Sequence, residues 1–251
     1  MKVAILQRDI VWASPATNVA RAEAAIDQLP ADVQLIVLPE MFSTGFTTQP
    51  EGIAETEPSP TRAWMERIAD SRQCAVAGSV ALQTLEGHFR NRFYFVKPGG
   101  VVSYYDKHHL FTYGGEHLRY HAGEHRVVVQ WGGVRFLLMV CYDLRFPCWS
   151  RNQGDYDCAL YVASWPTPRI GAWDTLLHAR AIENQCYVLG VNRVGTDPAC
   201  HYSGGSRIID PYGRDLAACP DGEEAAAIAT LDMEALNAFR QKFPVLNDRD
   251  V

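Results

Sequence analysis

The sequence predicts an α/β fold in which mixed sheets carry helices on their outer faces, because three patterns occur together. Short apolar runs bounded by turn residues recur through the chain. Helical patterns separate some of these runs near both ends, whereas strand follows strand across short connections in the middle. A four-layer α-β-β-α sandwich fits these patterns. A doubly wound single sheet is the alternative, and periodicity alone does not separate the two.

The apolar runs are predicted strands because they are short and rich in Val, Ile, Leu, Phe and Tyr. They cover residues 3–6, 35–38, 75–82, 93–96, 101–105, 127–131, 134–140, 158–162, 187–191 and 206–209. Glycine-containing turns at 98–100 and 132–133 favour antiparallel neighbours in the middle of the chain.

Four segments have apolar residues at helical spacing. They cover residues 18–29, 61–72, 172–185 and 233–243. Thr17 or Asn18 is the expected cap of the first helix, and Ser59 caps the second with Pro60 in its first turn. The third helix is expected to turn its apolar residues, Ile182 among them, toward a core.

Length and charge restrict the class of protein. The 251 residues fit one large domain spanning 1–251. The net charge is -6, and the Lys and Arg residues are scattered, which argues against a nucleic-acid partner but leaves an anionic small molecule open. No apolar stretch approaches the about 20 residues of a membrane span, and the N-terminus lacks a signal-peptide pattern. We therefore expect no membrane partner and a cytoplasmic location.

The cysteines do not form a disulfide or metal pattern. There are seven, with no CxxC pair and no regular spacing. An odd number without a secretion signal predicts reduced thiols, most of them small core residues.

Three reactive side chains each follow a predicted strand. Glu40 lies in LIVLPEMF, Lys107 in SYYDKHHLF and Cys141 in FLLMVCYDLRFP, directly after the longest buried run. Strand ends open onto loops, where a rigid scaffold holds side chains that reach a substrate. Each residue alone is more often a solvated or packed side chain, so only the combination indicates a site.

The combination has a chemical rationale. A cysteine nucleophile needs a base or cation nearby, and Glu40 suits the base that takes the thiol proton and returns it to the departing amine. Attack on a carbonyl develops negative charge on oxygen, which Lys107 and the backbone N–H of Tyr142 would stabilise. This chemistry requires no metal and no cofactor.

These segments resemble the Glu, Lys and Cys motifs of the nitrilase, or carbon-nitrogen hydrolase, superfamily, in that family's order and spacing. Further matches are SWPTPR at 164–169, HARAIENQCYVLGVNRVG at 178–195 and SGGSRIIDPYG at 203–213. The resemblance implies the α-β-β-α sandwich and a homodimer, with the tail at 240–251 as a candidate for the subunit interface. It also implies that Glu40 is the base, Lys107 the oxyanion stabiliser and Cys141 the thioester-forming nucleophile, with Glu116 as a second glutamate that orients Lys107.

Other residues are candidates for the substrate pocket. Phe42, Phe111 and Tyr113 follow the Glu and Lys motifs, and Trp165 ends the next strand pattern. Arg169 and Arg193 are candidates for holding a substrate carboxylate. Five histidines lie between His108 and His125, but the glycines among them disfavour a metal-binding helix, and we expect a partly solvated loop over the site.

Within the superfamily, the SWP segment, AIENQCYV and FPVLNDRD look most like the omega-amidase branch. That resemblance implies hydrolysis of the terminal amide of 2-oxoglutaramate or 2-oxosuccinamate to a 2-oxo dicarboxylate and ammonia. Carbamoylases of N-carbamoyl amino acids, aliphatic amidases and nitrilases use the same three side chains and stay open. A catalytically silent interaction module is the alternative of a different class.

Overall fold

The computed structural model describes residues 1–250. The strands are β1 (Lys2–Gln7), β2 (Leu35–Val37), β3 (Glu55–Thr56), β4 (Ala75–Gln83), β5 (Phe89–Lys97), β6 (Val101–Asp106), β7 (Val128–Trp131), β8 (Val134–Val140), β9 (Cys158–Ala163), β10 (Tyr187–Asn192), β11 (Val194–Thr196), β12 (His201–Ser203), β13 (Arg207–Ile209), β14 (Asp215–Ala218) and β15 (Ala225–Thr230). The helices are α1 (Pro15–Asp27), α2 (Pro60–Arg72), α3 (Pro147–Ser150), α4 (Ile170–Asn184) and α5 (Met233–Lys242).

The strands form two mixed sheets. The first has the order β15-β1-β2-β4-β5-β6 with β3 paired to β4, and the second has the order β14-β13-β10-β9-β8-β7. Parallel pairs such as β1–β2 and β8–β9 lie beside antiparallel pairs such as β4–β5. Hairpin β11–β12 stands apart from both sheets. The predicted mixed-sheet sandwich is confirmed, and the doubly wound single sheet is wrong.

Alternation along the strands produces the layers. In β1, Val3 and Ile5 point into a core shared with the second sheet, whereas Ala4 and Leu6 point into a core shared with α1 and α2. This period of two is expected of a strand that is buried on both faces. The side chains of Phe95 in β5 and Phe136 in β8 meet between the sheets, with ring centroids 5.7 Å apart.

Helix α4 covers the outer face of the second sheet. Trp173 and Leu177 are buried there, but Ile182 is 54% exposed, so the expectation that it faces the core is wrong. Helix α2 begins as predicted, because the side chain of Ser59 accepts a hydrogen bond from the backbone N–H of Arg62.

The start of α1 differs from the prediction. The helix begins at Pro15, and Asn18 lies inside it rather than at its cap. The amide of Asn18 is turned inward, where Nδ2 donates to the carbonyl oxygens of Val11 and Ser43. Asn18 therefore fixes the loop that leaves β1, and this long-range role has no local sequence pattern.

One strand that positions the site is longer than predicted. The expected run at 93–96 extends over Phe89–Lys97, because the polar residues at 90–92 pair with β4 and Arg92 also pairs with Asp106 in β6. Strand β15, rich in alanine, was not predicted and pairs antiparallel with β1.

A buried carboxylate ties the last helix to the second sheet. Asp157 accepts hydrogen bonds from Arg135 in β8, at 2.7 and 2.9 Å, and from Arg240 in α5, at 2.8 Å. Within residues 1–250, no helix is both long enough and apolar enough to cross a lipid bilayer.

Candidate active site

The structure brings Glu40, Lys107 and Cys141 together. Glu40 follows β2 and Lys107 follows β6 in the first sheet, and Cys141 follows β8 in the second. All three line one cavity, in which the carboxylate and the ammonium are almost fully buried. The predicted convergence of three strand ends is therefore present.

The backbone of Cys141 adopts an unusual conformation. Its φ is 46°, in the left-handed region that residues other than glycine rarely adopt. Cys141 is also the first residue of a 3-10 turn over Cys141–Arg145. Directly after the straight strand β8, this geometry produces a sharp corner whose side chain faces the cavity. Tyr142 is the second residue of the turn, where backbone N–H groups have no partner within a helix.

Asp143 holds that corner from behind. Its Oδ2 accepts from the backbone N–H of Val140 at 2.9 Å and from the hydroxyl of Tyr105 at 2.8 Å. Its Oδ1 contacts both the backbone N–H and the Nδ1 of His109 at 2.9 Å. The strand end before the strained Cys141 is thus linked to the end of β6, after which Lys107 follows.

Lys107 lies between two carboxylates. Its Nζ donates to Glu40 Oε1 at 3.0 Å and to the two oxygens of Glu116 at 2.9 and 3.2 Å. The backbone N–H of Phe111 also donates to Glu116 Oε2 at 2.6 Å. Glu116 therefore contacts Lys107, as the resemblance implies, and it also fixes the loop that follows Lys107.

Two contacts to these carboxylates were not predicted from the sequence. Asn91 in β5 donates through Nδ2 to Glu40 Oε1 at 2.8 Å and to Glu116 Oε1 at 3.2 Å. The backbone N–H of Ser164, just after β9, donates to Glu40 Oε2 at 2.8 Å. A lone Asn in a polar stretch and a backbone N–H give no local signal, which explains the omission.

The two carboxylates differ in how many acceptor positions are occupied. An ionised carboxylate has about four such positions. Glu116 accepts two hydrogen bonds on each oxygen, so it is saturated. Glu40 accepts two on Oε1 and one on Oε2, which leaves one position on Oε2. Glu40 alone of the pair has room for a proton from Cys141.

Burial and charge shift the pKa values of the cluster. Burial by itself would lower the pKa of Lys107, but Glu116 and Glu40 outweigh it and hold that pKa well above its usual range. Burial raises the pKa of Glu116, and Lys107 opposes that rise. Burial and then the negative charge of Glu40 raise the pKa of the Cys141 thiol, so the thiol is protonated at rest.

The empty space beside Cys141, with the solvent at its mouth included, is about 460 Å³. Its lining beyond the residues already placed consists of Phe46, Phe111, Tyr142, Arg145, Ser164, Trp165, Pro166, Arg169, Cys200 and Tyr202. It adjoins a wider, more open hollow that shares Phe46, Phe111 and Arg169 with it. An apolar chamber with a few polar groups is typical of small-molecule sites.

Two arginines lie at this cavity without a counter-charge. The guanidinium of Arg145 is 4.9 Å from the centroid of the Trp165 ring, and that of Arg169 is 5.5 Å from the centroid of the Phe111 ring. Within residues 1–250, neither guanidinium has a hydrogen-bond or ion-pair partner in the structure. Arg145 ends the turn that begins at Cys141, and its side chain lines the cavity.

The predicted pocket residues divide into two groups. Phe111, Trp165 and Arg169 line the cavity, and Tyr113 lies farther out, 84% exposed at the wider hollow. Phe42 and Arg193 do not line the cavity. Phe42 packs on Trp64 beneath the first sheet, with ring centroids 5.8 Å apart.

Arg193 is excluded from the cavity for a different reason. Its side chain is fully buried, and its guanidinium donates to the carbonyl oxygens of Ile10 and Thr196. The guanidinium also lies over the Tyr202 ring, 4.4 Å from its centroid. The prediction that Arg193 holds a substrate carboxylate is therefore wrong, because these internal partners occupy it.

The histidines after Lys107 contact different partners and do not form one cluster. His108 stacks on Trp149 with ring centroids 3.8 Å apart, and His109 contacts Asp143. His121 stacks on His88 at the surface, with ring centroids 4.2 Å apart. In the described part of the chain, no three His, Cys, Asp or Glu side chains are grouped as a metal site requires.

This chain is similar in sequence to known proteins. A sequence model of the carbon-nitrogen hydrolase family matches residues 2–241. Omega-amidase YafV of Escherichia coli strain K12 is 48% identical over 100% of this chain and 97% of its own length. A 2-oxoglutaramate amidase of Bacillus subtilis strain 168 is 34% identical over 98% of this chain and 96% of its own.

A solved structure is similarly close. The crystal structure of XC1258 from Xanthomonas campestris, a CN-hydrolase superfamily protein with an arsenic adduct in the active site, superposes with a TM-score of 0.96. It is 40% identical in sequence, and the match covers 100% of this chain and 97% of that one.

Proposed function

This chain belongs to the carbon-nitrogen hydrolase family, and from that premise we propose that it is an omega-amidase. The resemblance to the nitrilase superfamily noted in the sequence is confirmed. The proposed reaction is hydrolysis of the terminal carboxamide of 2-oxoglutaramate or 2-oxosuccinamate to the 2-oxo dicarboxylate and ammonia. The observation that supports this substrate class is the pair of unpartnered guanidiniums in the cavity of Cys141.

In the first half-reaction, Cys141 Sγ attacks the carboxamide carbon while Glu40 takes the thiol proton. The open acceptor position on Glu40 Oε2 supports this role, since Glu116 has none. The protonated Glu40 then gives the proton to the amide nitrogen, the C–N bond breaks and ammonia leaves. The product of this half-reaction is a thioester on Cys141.

In the second half-reaction, water attacks the thioester carbon and Glu40 takes its proton. The C–S bond breaks, the acid leaves and the proton returns to the thiolate. Because burial and Glu40 hold the Cys141 pKa high, the resting enzyme stores this proton on sulfur rather than as a free thiolate. The proposed cycle therefore depends on transfer to Glu40 at the moment of attack.

Both tetrahedral intermediates carry an oxyanion. We assign its stabilisation to Lys107 Nζ and the backbone N–H of Tyr142, each of which lies beside Cys141 in space or in sequence. At rest, all three ammonium hydrogens of Lys107 have acceptors. One of its two contacts to Glu116 has to give way when the oxyanion forms, while the other preserves the charge pair.

The substrate carboxylate is assigned to Arg145 and Arg169. A guanidinium binds a carboxylate in a planar, charge-assisted pair, and these two side chains line the cavity from the turn after Cys141 and from the segment before α4. Phe111 and Trp165, under the two guanidiniums, hold them in place. An amide with a carboxylate at the other end of a short chain suits this arrangement.

The direct test measures ammonia release from matched substrates. We expect fast release from 2-oxoglutaramate, and slow release from an N-carbamoyl amino acid, an uncharged aliphatic amide and a simple nitrile. Cys141→Ala is expected to abolish release while the far-ultraviolet circular dichroism stays unchanged. Faster turnover of one of the other three substrates would replace the omega-amidase proposal, and no turnover of any would support a catalytically silent module.

We also propose that the protein forms a homodimer in solution. Tyr212 and Phe243 are 54% and 59% exposed, and the Tyr212 ring packs on Phe239 of α5, with ring centroids 4.1 Å apart. Such an apolar surface favours burial against a partner. The tail at 240–251 stays a predicted interface, and residue 251 lies outside the described residues. If light scattering at micromolar concentration showed a monomer, that result would contradict the proposed homodimer.

The cytoplasmic location of the protein also stays a prediction.

A further inference from the structure

Asn91 is a buried polar residue that no motif of the sequence identified. It lies in β5, is 1% exposed, and its Nδ2 reaches Glu40 and Glu116 at 2.8 and 3.2 Å. Its own backbone carbonyl accepts from the N–H of Lys107 at 3.0 Å, which continues the β5–β6 ladder by one residue. Asn91 therefore contacts both carboxylates of the cluster through its side chain and the backbone of Lys107 through its carbonyl oxygen.

We propose that Asn91 is the positioning residue that keeps Glu40 ionised and directs its free Oε2 acceptor position toward the Cys141 thiol. This inference rests on the proposed function in one respect, namely that Glu40 acts as the base. Asn91 does not line the cavity, so it acts through Glu40 and not on the substrate.

The charge balance of the cluster supports this role. Glu40 and Glu116 share one ammonium, that of Lys107, and two carboxylates at one cation favour uptake of a proton by one of them. The Asn91 amide donates to both carboxylates, so it favours the doubly ionised state without adding a charge. The remaining titratable groups facing the cluster are Cys141 and the buried hydroxyl of Tyr120, which add no positive charge.

The orientation of Glu40 leads to the same conclusion. Asn91 and Lys107 together fill Oε1, and the Ser164 N–H fills half of Oε2. Without the Asn91 donor, Glu40 has one open acceptor position on each oxygen. A proton from Cys141 or from water can then go to either Oε1 or Oε2. The amide thus determines which oxygen of Glu40 receives the proton.

The test compares Asn91→Asp and Asn91→Ala with Asn152→Ala. Asn152 is a matched control, because it is fully buried and its Nδ2 donates to the carbonyl oxygens of Tyr156 and Asn184, outside the active site. Two pH profiles are measured for each protein: kcat/KM for 2-oxoglutaramate, and the rate at which iodoacetamide modifies Cys141, followed by peptide mapping. Thermal unfolding reports the cost to stability separately.

We expect the acid limb of both profiles to move upward in the Asn91 variants by about one to two pH units, the equivalent of a hydrogen bond to a charged group. The displacement is expected to be larger for Asn91→Asp, which has the same size and adds a third carboxylate. Near neutral pH, kcat should fall by about 10-fold for each pH unit by which the midpoint of the acid limb exceeds the assay pH, with KM little changed. Asn152→Ala should lower the melting temperature and leave both profiles in place.

Acid limbs that coincide with wild type in a folded Asn91 variant would overturn the proposal, even if activity were lost. If Asn91→Ala does not fold, the isosteric Asn91→Asp decides by the same criterion. The alkylation profile needs no substrate, so it separates the two ideas. A displaced alkylation limb without turnover of 2-oxoglutaramate would support the role of Asn91 and contradict the proposed substrate.

Discussion

Replacing Arg169 and Arg145 by glutamine is expected to weaken binding of the anionic substrate specifically. Both guanidiniums line the cavity and have no counter-charge within residues 1–250, so a bound carboxylate would be their main partner. A hydrogen bond to a charged group contributes about 1.5–3 kcal/mol, which corresponds to about 10- to 150-fold in affinity. Both side chains are half-buried, so solvent screening favours the lower end. Each single variant should therefore raise KM for 2-oxoglutaramate by about 10-fold.

The double variant tests whether the two arginines hold one carboxylate. Residues that share a partner are not additive, so the combined loss should be smaller than the product of the single losses. The assay compares kcat/KM for 2-oxoglutaramate with that for an uncharged primary amide, and also measures inhibition by the dicarboxylate product. Only the anionic ligands should lose affinity.

The matched control is Arg67→Gln. Arg67 pairs with Glu23 at the surface of α2 at 2.6 Å, its side chain is 56% exposed, and it lies outside the cavity. This variant should match wild type with both substrates. An equal loss on charged and uncharged amides in the Arg169 and Arg145 variants would refute carboxylate binding and indicate a general distortion of the cavity.

Three further perturbations test the packing and charge of the fold. Lys107→Met leaves two buried carboxylates without their cation, so urea unfolding should show a loss of about 3–5 kcal/mol, and wild-type stability would contradict the buried pair. Gly190→Ala places a methyl against Leu177 and should cost about 1–3 kcal/mol, whereas Gly171→Ala has open space in α4 and should be neutral or stabilising in the same assay. Burial alone would raise the pKa of Asp157, but its arginine partners outweigh burial and lower that pKa. The ionised carboxylate therefore stabilises the fold above about pH 4, and this contribution is lost as the pH falls further. Asp157→Asn should flatten that acid dependence of the melting temperature, and an unchanged slope would contradict the assignment.

Much of the fold was predictable because strand periodicity is a local signal. The run that ends at Val140 is apolar at nearly every position, as a strand buried on both faces requires, and it appears at its predicted bounds as β8. Strand β15 was missed because its alanines have low strand propensity, whereas pairing with β1 and burial of Ala227 in the core stabilise it there. Ile182 was misplaced for a related reason. Helical spacing shows that a face is apolar but does not show which apolar side chains the sheet reaches.

The residues of the site were likewise predictable where their signal is local in the sequence, and were missed where their role depends on long-range pairing. Glu40, Lys107 and Cys141 were found because each follows an apolar run that can be seen in the sequence. Asn91 was missed because its function depends on register: pairing of β5 with β6 brings position 91 beside position 107, and no pattern within β5 reveals it.

The different roles proposed for the two glutamates also depend on contacts that are distant in the sequence. Both are buried and both bind Lys107, so residue type and burial do not distinguish a base from a positioning group. The difference is one hydrogen bond: the backbone N–H of Phe111 fills the last acceptor position of Glu116, whereas the corresponding position of Glu40 is open. A loop that closes on one carboxylate and leaves the other open therefore determines which of them can receive a proton from Cys141.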